Sequence, residues 1–158
     1  MLENCKTAQE RWGGVSDIID RWLKERRELI EQYGRLIDIE NLDGRNATHA
    51  SGVTELCQIL VDYVSTGHFE VYGQLAKEGD EFEDKEGLEV ADELYQTIDK
   101  STQAVLDFND KYQVPDDLKT IYEDLAGLED KMSTRFEAED RMINVLHTSH
   151  ANVAAENG

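Results

Sequence analysis

Residues 15–37 read VSDIIDRWLKERRELIEQYGRLI, and the fold class follows from how their apolar members are spaced. Val15, Ile18, Ile19, Trp22, Leu23, Leu29, Ile30, Tyr33, Leu36 and Ile37 recur at steps of three and four, which puts them on one side of a long helix. Such a stripe needs a partner to cover it. No Val/Ile/Thr-rich alternating run flanked by hairpin turns offers a sheet for that purpose, so the partners are other helices. Upstream, Gly13-Gly14 interrupts the pattern and predicts a separate short helix at about residues 3 to 12, with Gly14 or Ser16 capping the next start.

The same periodicity returns three times. Val53, Leu56, Cys57, Leu60, Val61, Val64, Val71, Tyr72 and Leu75 predict a helix over 53–76, weakest at Gly67. Leu88, Ala91, Leu94, Tyr95, Ile98, Val105 and Leu106 predict a third over 88–110. Leu118, Ile121, Tyr122, Leu125, Leu128, Met132, Phe136, Ile143 and Leu146 predict a fourth, with the single proline, Pro115, and Asp116-Asp117 suited to its first turn. The intervening stretches 38–52 and 77–87 carry glycine and polar residues without a periodic face and read as loops. The expected fold is all-α: an antiparallel four-helix bundle with a short additional N-terminal helix. Residues 1–147 form one domain in this reading, and the polar stretch 148–158 a flexible C-terminal tail.

Composition limits the function classes. The 158 residues hold 16 Lys+Arg against 35 Asp+Glu, a formal charge of −19 that repels phosphate backbones and anionic lipid heads and favours a basic partner. Direct nucleic-acid binding and membrane attachment are therefore not expected. The negative charge is concentrated late in the chain. Residues 78–100 hold ten acids against Lys85 and Lys100, whereas residues 1–36 are balanced at seven acids and seven bases. No apolar run is long enough for a membrane helix, Met1 to Gln9 lack the pattern of a secretory signal, and Cys5 and Cys57 read as reduced, so the expected location is cytoplasmic. Self-repulsion at this charge points to a monomer.

Extending each stripe places three ionisable residues where apolar ones belong. The registers 19, 22, 26, 29 and 57, 60, 64, 68 and 132, 136, 139, 143 turn Arg26, His68 and Glu139 inward. Burying one charge is costly, whereas a mutually hydrogen-bonded group is tolerated, so the three are expected to be partners. Tyr72, Tyr95 and Thr102 stand ready to supply hydroxyls. Such a cluster serves either as a polar layer fixing helix register or as the core of a ligand-binding or enzymatic site. A metal site has no support: the chain has no Glu-x-x-His, and His147-x-x-His150 lacks a third ligand. No phosphate-cradling glycine loop or nucleophile elbow occurs, and no cofactor is implied.

Three segments carry a resemblance. Asp20-Arg21-Trp22-Leu23 with Arg26, the run Cys57-Gln58-Ile59-Leu60-Val61-Asp62-Tyr63-Val64-Ser65-Thr66-Gly67-His68-Phe69 followed by Tyr72, and Arg135-Phe136 with Glu139-Asp140 resemble the Rsd/AlgQ family of bacterial anti-sigma factors (regulator of sigma D). The opening Gln9-Glu10-Arg11-Trp12-Gly13-Gly14-Val15 is most similar to the AlgQ branch of pseudomonads. The loops 38–52 and 77–87 match no pattern of that family.

The resemblance implies a helical bundle that is no enzyme. It also implies that the chain binds the primary, housekeeping sigma factor, mainly its region 4, and restrains its use by core RNA polymerase. Region 4 is a basic helix-turn-helix module that reads the −35 promoter element, and the AlgQ name links such a protein to stationary-phase, alginate and virulence regulation. Trp12, Tyr63 and Phe69, read as lying off or at the edge of the buried stripes, are the expected contacts with the sigma factor. The competing reading is a small-ligand-binding or enzymatic bundle built on Arg26, His68 and Glu139, which requires a cavity joining them to solvent.

Overall fold

The stripe of residues 15–37 belongs to helix α1, Cys5–Ile37, in a computed structural model that describes the backbone of residues 5–150 and the side chains of residues 17–150. Helix α1 passes through Gly13-Gly14 without a break, so the separate N-terminal helix expected there does not exist. Each glycine costs a helix interior about 1 kcal/mol relative to alanine. That is a weakness, and a helix this long tolerates it.

Helix α2 spans Ala47–Thr66 and α3 spans Tyr72–Glu81, joined by a π-helical turn at Gly67–Val71 into one continuous run. Helix α4 is Lys85–Lys111 and α5 is Ile121–Ile143, and a second π turn, Asn144–Thr148, extends α5. The described residues are thus all-helical, in four runs, with no strand among them. The chain is still helical at Ser149 and His150, within the stretch read as a tail, and His150 is buried.

Both long loops are shorter than the sequence suggests. Asn46 caps α2 by accepting from the backbone N–H groups of Thr48 (3.0 Å) and His49 (3.2 Å), so the helix starts at Ala47 although its first turn has no apolar face. Replacing Asn46 with alanine is expected to lower stability by about 1 kcal/mol, read by chemical denaturation. The stretch 77–87 shrinks to a turn at 82–84, because Glu78 and Gly79 are buried and extend α3 to Glu81. Pro115 lies in the 112–120 connection, and α5 starts at Ile121.

Asp84 caps α4 by accepting from Gly87 N–H at 2.9 Å, and it also accepts from His150 Nε2 at 2.8 Å. These two bonds, the backbone one foremost, hold its carboxyl below the usual aspartate value. A carboxylate whose folded value is depressed contributes stability above its unfolded value of about 3.9 and loses it as pH falls through the folded value. Asp84→Ala is therefore expected to cost about 1 kcal/mol at neutral pH, with the two proteins converging in acid, as pH-dependent urea titrations will show.

The core is one cluster. Trp22, Val53, Leu56, Leu60, Tyr63, Leu75, Ile121 and Leu125 have no solvent exposure, and each large apolar side chain removed from water contributes roughly 1.5–3 kcal/mol. Helix α1 packs on α2, and α4 on α5. Between α1 and α5, Arg26 reaches Glu139 and Asp140, while Tyr33, two turns later, reaches the Leu125 carbonyl at 2.9 Å and Glu129 at 3.0 Å.

Candidate functional site

The first groups to account for are the buried charges. Glu139 has no solvent exposure and Arg135, four residues earlier on α5, has 1 %. The Glu139 carboxylate accepts from Tyr63 Oη (2.5 Å) and Arg26 Nη2 (3.5 Å) on one oxygen, and from Tyr72 Oη (2.5 Å) and Arg135 Nε (3.2 Å) on the other. Arg26 also donates from Nε to Tyr63 Oη at 3.0 Å and pairs with Asp140 at 2.5 Å. Arg135 donates from Nη1 to Ser101 and Thr102, both at 3.0 Å, and from Nη2 to Tyr72 Oη at 3.1 Å. Two cations, Arg26 and Arg135, thus face two anions, Glu139 and Asp140.

Side chains from every helical run meet at this network. Burial pushes the Glu139 carboxyl above its usual range, against the pull of Arg135, the two tyrosine hydroxyls and Arg26. The Tyr63 and Tyr72 hydroxyls are raised first by burial and then by the Glu139 charge, so both remain protonated donors.

The π turn explains how two tyrosines on one helical run address one carboxylate. Nine positions at 100° per residue put residues 63 and 72 about 180° apart on a regular α-helix. The turn at Gly67–Val71 absorbs one extra residue and rotates Tyr72 back toward Glu139. Gly67 is required beside it: a Cβ there would stand 3.0 Å from Tyr72 Oη and 3.2 Å from the Trp22 ring. Trp22 stacks on Tyr63 with ring centroids 5.1 Å apart, donates from Nε1 to the Tyr63 carbonyl at 3.1 Å, and meets the Tyr72 ring edge-on.

The structure brings Arg26 and Glu139 together and leaves His68 out. The buried stripe of α2 runs through Tyr63 and Gly67 and not through Val64 and His68, so His68 is exposed, with Nδ1 3.4 Å from Tyr95 Oη. Tyr63, expected at the surface, is fully buried and cannot touch a partner. Phe69 is 79 % exposed. The Trp12 side chain lies outside the described residues, as does that of Cys5. Cys57 is free and buried, and burial raises its thiol to about 11.

Arg135 and Tyr63 are the members that stripe-reading missed, whereas Tyr72 and Thr102 supply hydroxyls as expected and Tyr95 reaches His68 instead. A signal for Arg135 was present: the register 128, 132, 135, 139, 142 fits the stripe of α5 as well as the one through Phe136. The two histidines near the chain end are structural. His147 donates to Glu78 at 2.8 Å, both buried, and His150 stacks on Phe82 with centroids 4.3 Å apart. No group of three or more His, Cys, Asp or Glu among the described residues is placed to hold a metal ion.

A cleft of about 170 Å³ lies between His68, Phe69, Tyr95, Asp99 and the buried Arg135. All three nitrogens of Arg135 already donate to protein acceptors. The charged layer ties the helical runs together, with Asp140 at its exposed edge.

The family pattern described as "Regulator of RNA polymerase sigma(70) subunit, Rsd/AlgQ" matches residues 1–147. The chain belongs to the Rsd/AlgQ family. This Rsd/AlgQ protein is accordingly a regulator and not an enzyme. It is similar to the protein named Regulator of sigma D in Yersinia enterocolitica serotype O:8 / biotype 1B, with 29 % identity over 148 residues, or 90 % of this chain and 88 % of that one. A protein of the same name in Yersinia pseudotuberculosis serotype O:1b is 30 % identical over 90 % of this chain and 87 % of its own. A third, from Enterobacter sp. strain 638, is 29 % identical over the same share of this chain and 88 % of its own. Within this Rsd/AlgQ chain, no described helix is long and apolar enough to cross a membrane.

Proposed function

We propose that this Rsd/AlgQ protein binds the primary sigma factor of RNA polymerase, mainly at region 4, and thereby blocks both −35 element recognition and association with core polymerase. The observation that carries this reading is the family match over residues 1–147. The charge of −19 supports it, since region 4 is a cationic, DNA-reading module and an acidic protein competes for the same surface. In this reading the protein acts in the cytoplasm as a monomer, in stationary-phase and alginate or virulence regulation. Residues 1–147 form one antiparallel bundle, supported by the opposed order in which Arg26 and Tyr33 of α1 meet Glu139 and Leu125 of α5.

Trp12 and Phe69 remain the proposed contacts from the sequence reading, and the exposure of Phe69 supports its part in it. Phe69→Ser is expected to weaken sigma binding by about tenfold, the size of a strong interface residue, without lowering the thermal midpoint.

The test is fluorescence anisotropy with labelled region 4 and with full-length primary sigma factor, repeated across salt concentrations and in competition with −35 DNA. Saturable binding that DNA displaces and that persists above physiological salt is the expected result. Binding lost at modest salt and shared by unrelated basic proteins would replace this reading with that of a general acidic decoy.

A further inference from the structure

The sigma-binding reading leaves open which face of the protein does the holding. Three of the large apolar side chains exposed among the described residues, Ile30 (52 %), Ile37 (41 %) and Tyr122 (39 %), edge one seam. Ile30 and Ile37 lie two turns apart on α1, and Tyr122 of α5 bonds through its hydroxyl to the Ile39 carbonyl just beyond the end of α1. Between the two helices the seam opens into a cleft of about 230 Å³ floored by Leu29, Tyr33, Leu128, Met132 and Phe136, with Ile30 at its lip. That volume falls below the roughly 300 Å³ at which small-molecule pockets begin. It suits one or two side chains projected by a partner.

Two further features define the partner. Gly34 stands one turn after Ile30 on the α1 surface, and a Cβ built there meets nothing within 4 Å. A glycine in the interior of a helix is unfavourable, and this one has no packing reason inside the molecule, yet it lets a second helix approach the α1 backbone closely. The α5 side of the seam is acidic, with the exposed Glu137, with Glu129, which accepts from Tyr33, and with Asp140, which pairs with Arg26 and is 60 % exposed.

We infer that the α1/α5 groove seats an amphipathic helix of the sigma factor, whose apolar side chains enter the cleft beside Ile30 and Gly34 and whose basic flank lies against the α5 carboxylates. This rests on the sigma-binding reading. A second copy of this chain is the poorer occupant, because it would bring its own −19 charge to an acidic rim.

The test measures the affinity of purified primary sigma factor for the wild type and three variants, with thermal midpoints and sedimentation recorded for each protein alone. Gly34→Gln adds a side chain into open space and removes a helix glycine, so its midpoint should rise while sigma affinity falls by about tenfold or more. Ile30→Glu should lose affinity similarly, and Leu106→Glu, on the exposed side of α4, should bind within about twofold of wild type. Binding of wild-type strength by both Gly34→Gln and Ile30→Glu would overturn the groove assignment and leave the sigma reading standing. Failure of the wild type to bind sigma would remove both. A wild-type dimer that Ile30→Glu dissociates would assign the groove to a second copy.

Discussion

Glu139→Ala is expected to destabilise the fold by about 3–5 kcal/mol, the cost of breaking a buried ion pair by removing one partner. For a chain of this size each kcal/mol moves the thermal midpoint by roughly 2–4 °C, so a fall on the order of 10 °C should be seen by circular dichroism. The cause is what stays behind. Arg135, 1 % exposed, keeps its charge without its counter-ion, and the Tyr63 and Tyr72 hydroxyls lose their acceptor. Glu139→Gln should cost less, since an amide oxygen still accepts from one tyrosine. Removing both charges together, as Glu139→Leu with Arg135→Met, should recover part of the loss of Glu139→Ala. His68→Ala, by contrast, should stay within about 0.5 kcal/mol of wild type, as a substitution at an exposed position outside the network.

Trp22→Ala is the second large effect, expected at about 3–5 kcal/mol. Trp22 has no solvent exposure, stacks on Tyr63, meets Tyr72 edge-on and donates to the Tyr63 carbonyl. Its loss opens a cavity under both tyrosines that orient the Glu139 carboxylate. The two effects should therefore fall short of additive: a Trp22→Ala, Glu139→Ala double variant should be less destabilised than the sum of the single ones, because the residues share partners. Denaturant titration of the four proteins measures that coupling directly.

The contrast between His68 and Arg135 shows where pattern reading works. Helical periodicity depends on burial averaged over many turns, so the four helical runs were legible from stripes such as Val15 to Ile37. Helix ends depend on single side chains. Asn46 capping α2 and the burial of Glu78 on α3 moved two boundaries that periodicity alone put elsewhere. Within the site, Arg26 and Glu139 lie on regular stretches of α1 and α5, where 3.6-residue spacing holds. His68 was misplaced because the stripe after Leu60 continues through Tyr63 and Gly67 and not through Val64, and the π turn that follows shifts the register by a further residue with no composition signal beyond Gly67. The same shift brought Tyr72 inward. Phe69, read as lying off or at the edge of the stripe, is exposed between the exposed His68 and Glu70.

The network adjoins the proposed groove, since Asp140 pairs with Arg26 and edges the α5 rim, and Arg26 lies over the Phe136 ring that floors the cleft. Glu139 and its partners fix how the helices sit, and the exposed seam of Ile30, Gly34 and Ile37 depends on that fixed spacing. In the proposed role, competition with DNA for a basic module would gain from a rigid frame, since less conformational entropy is lost on binding.

The most direct measurement is transcription by reconstituted RNA polymerase from a promoter that depends on its −35 element, with this protein added to the primary sigma factor before core enzyme. Output that falls to background at saturating protein, and is restored by excess sigma factor, is the result this account predicts. A polymerase that initiates at full rate in the presence of saturating protein would contradict it.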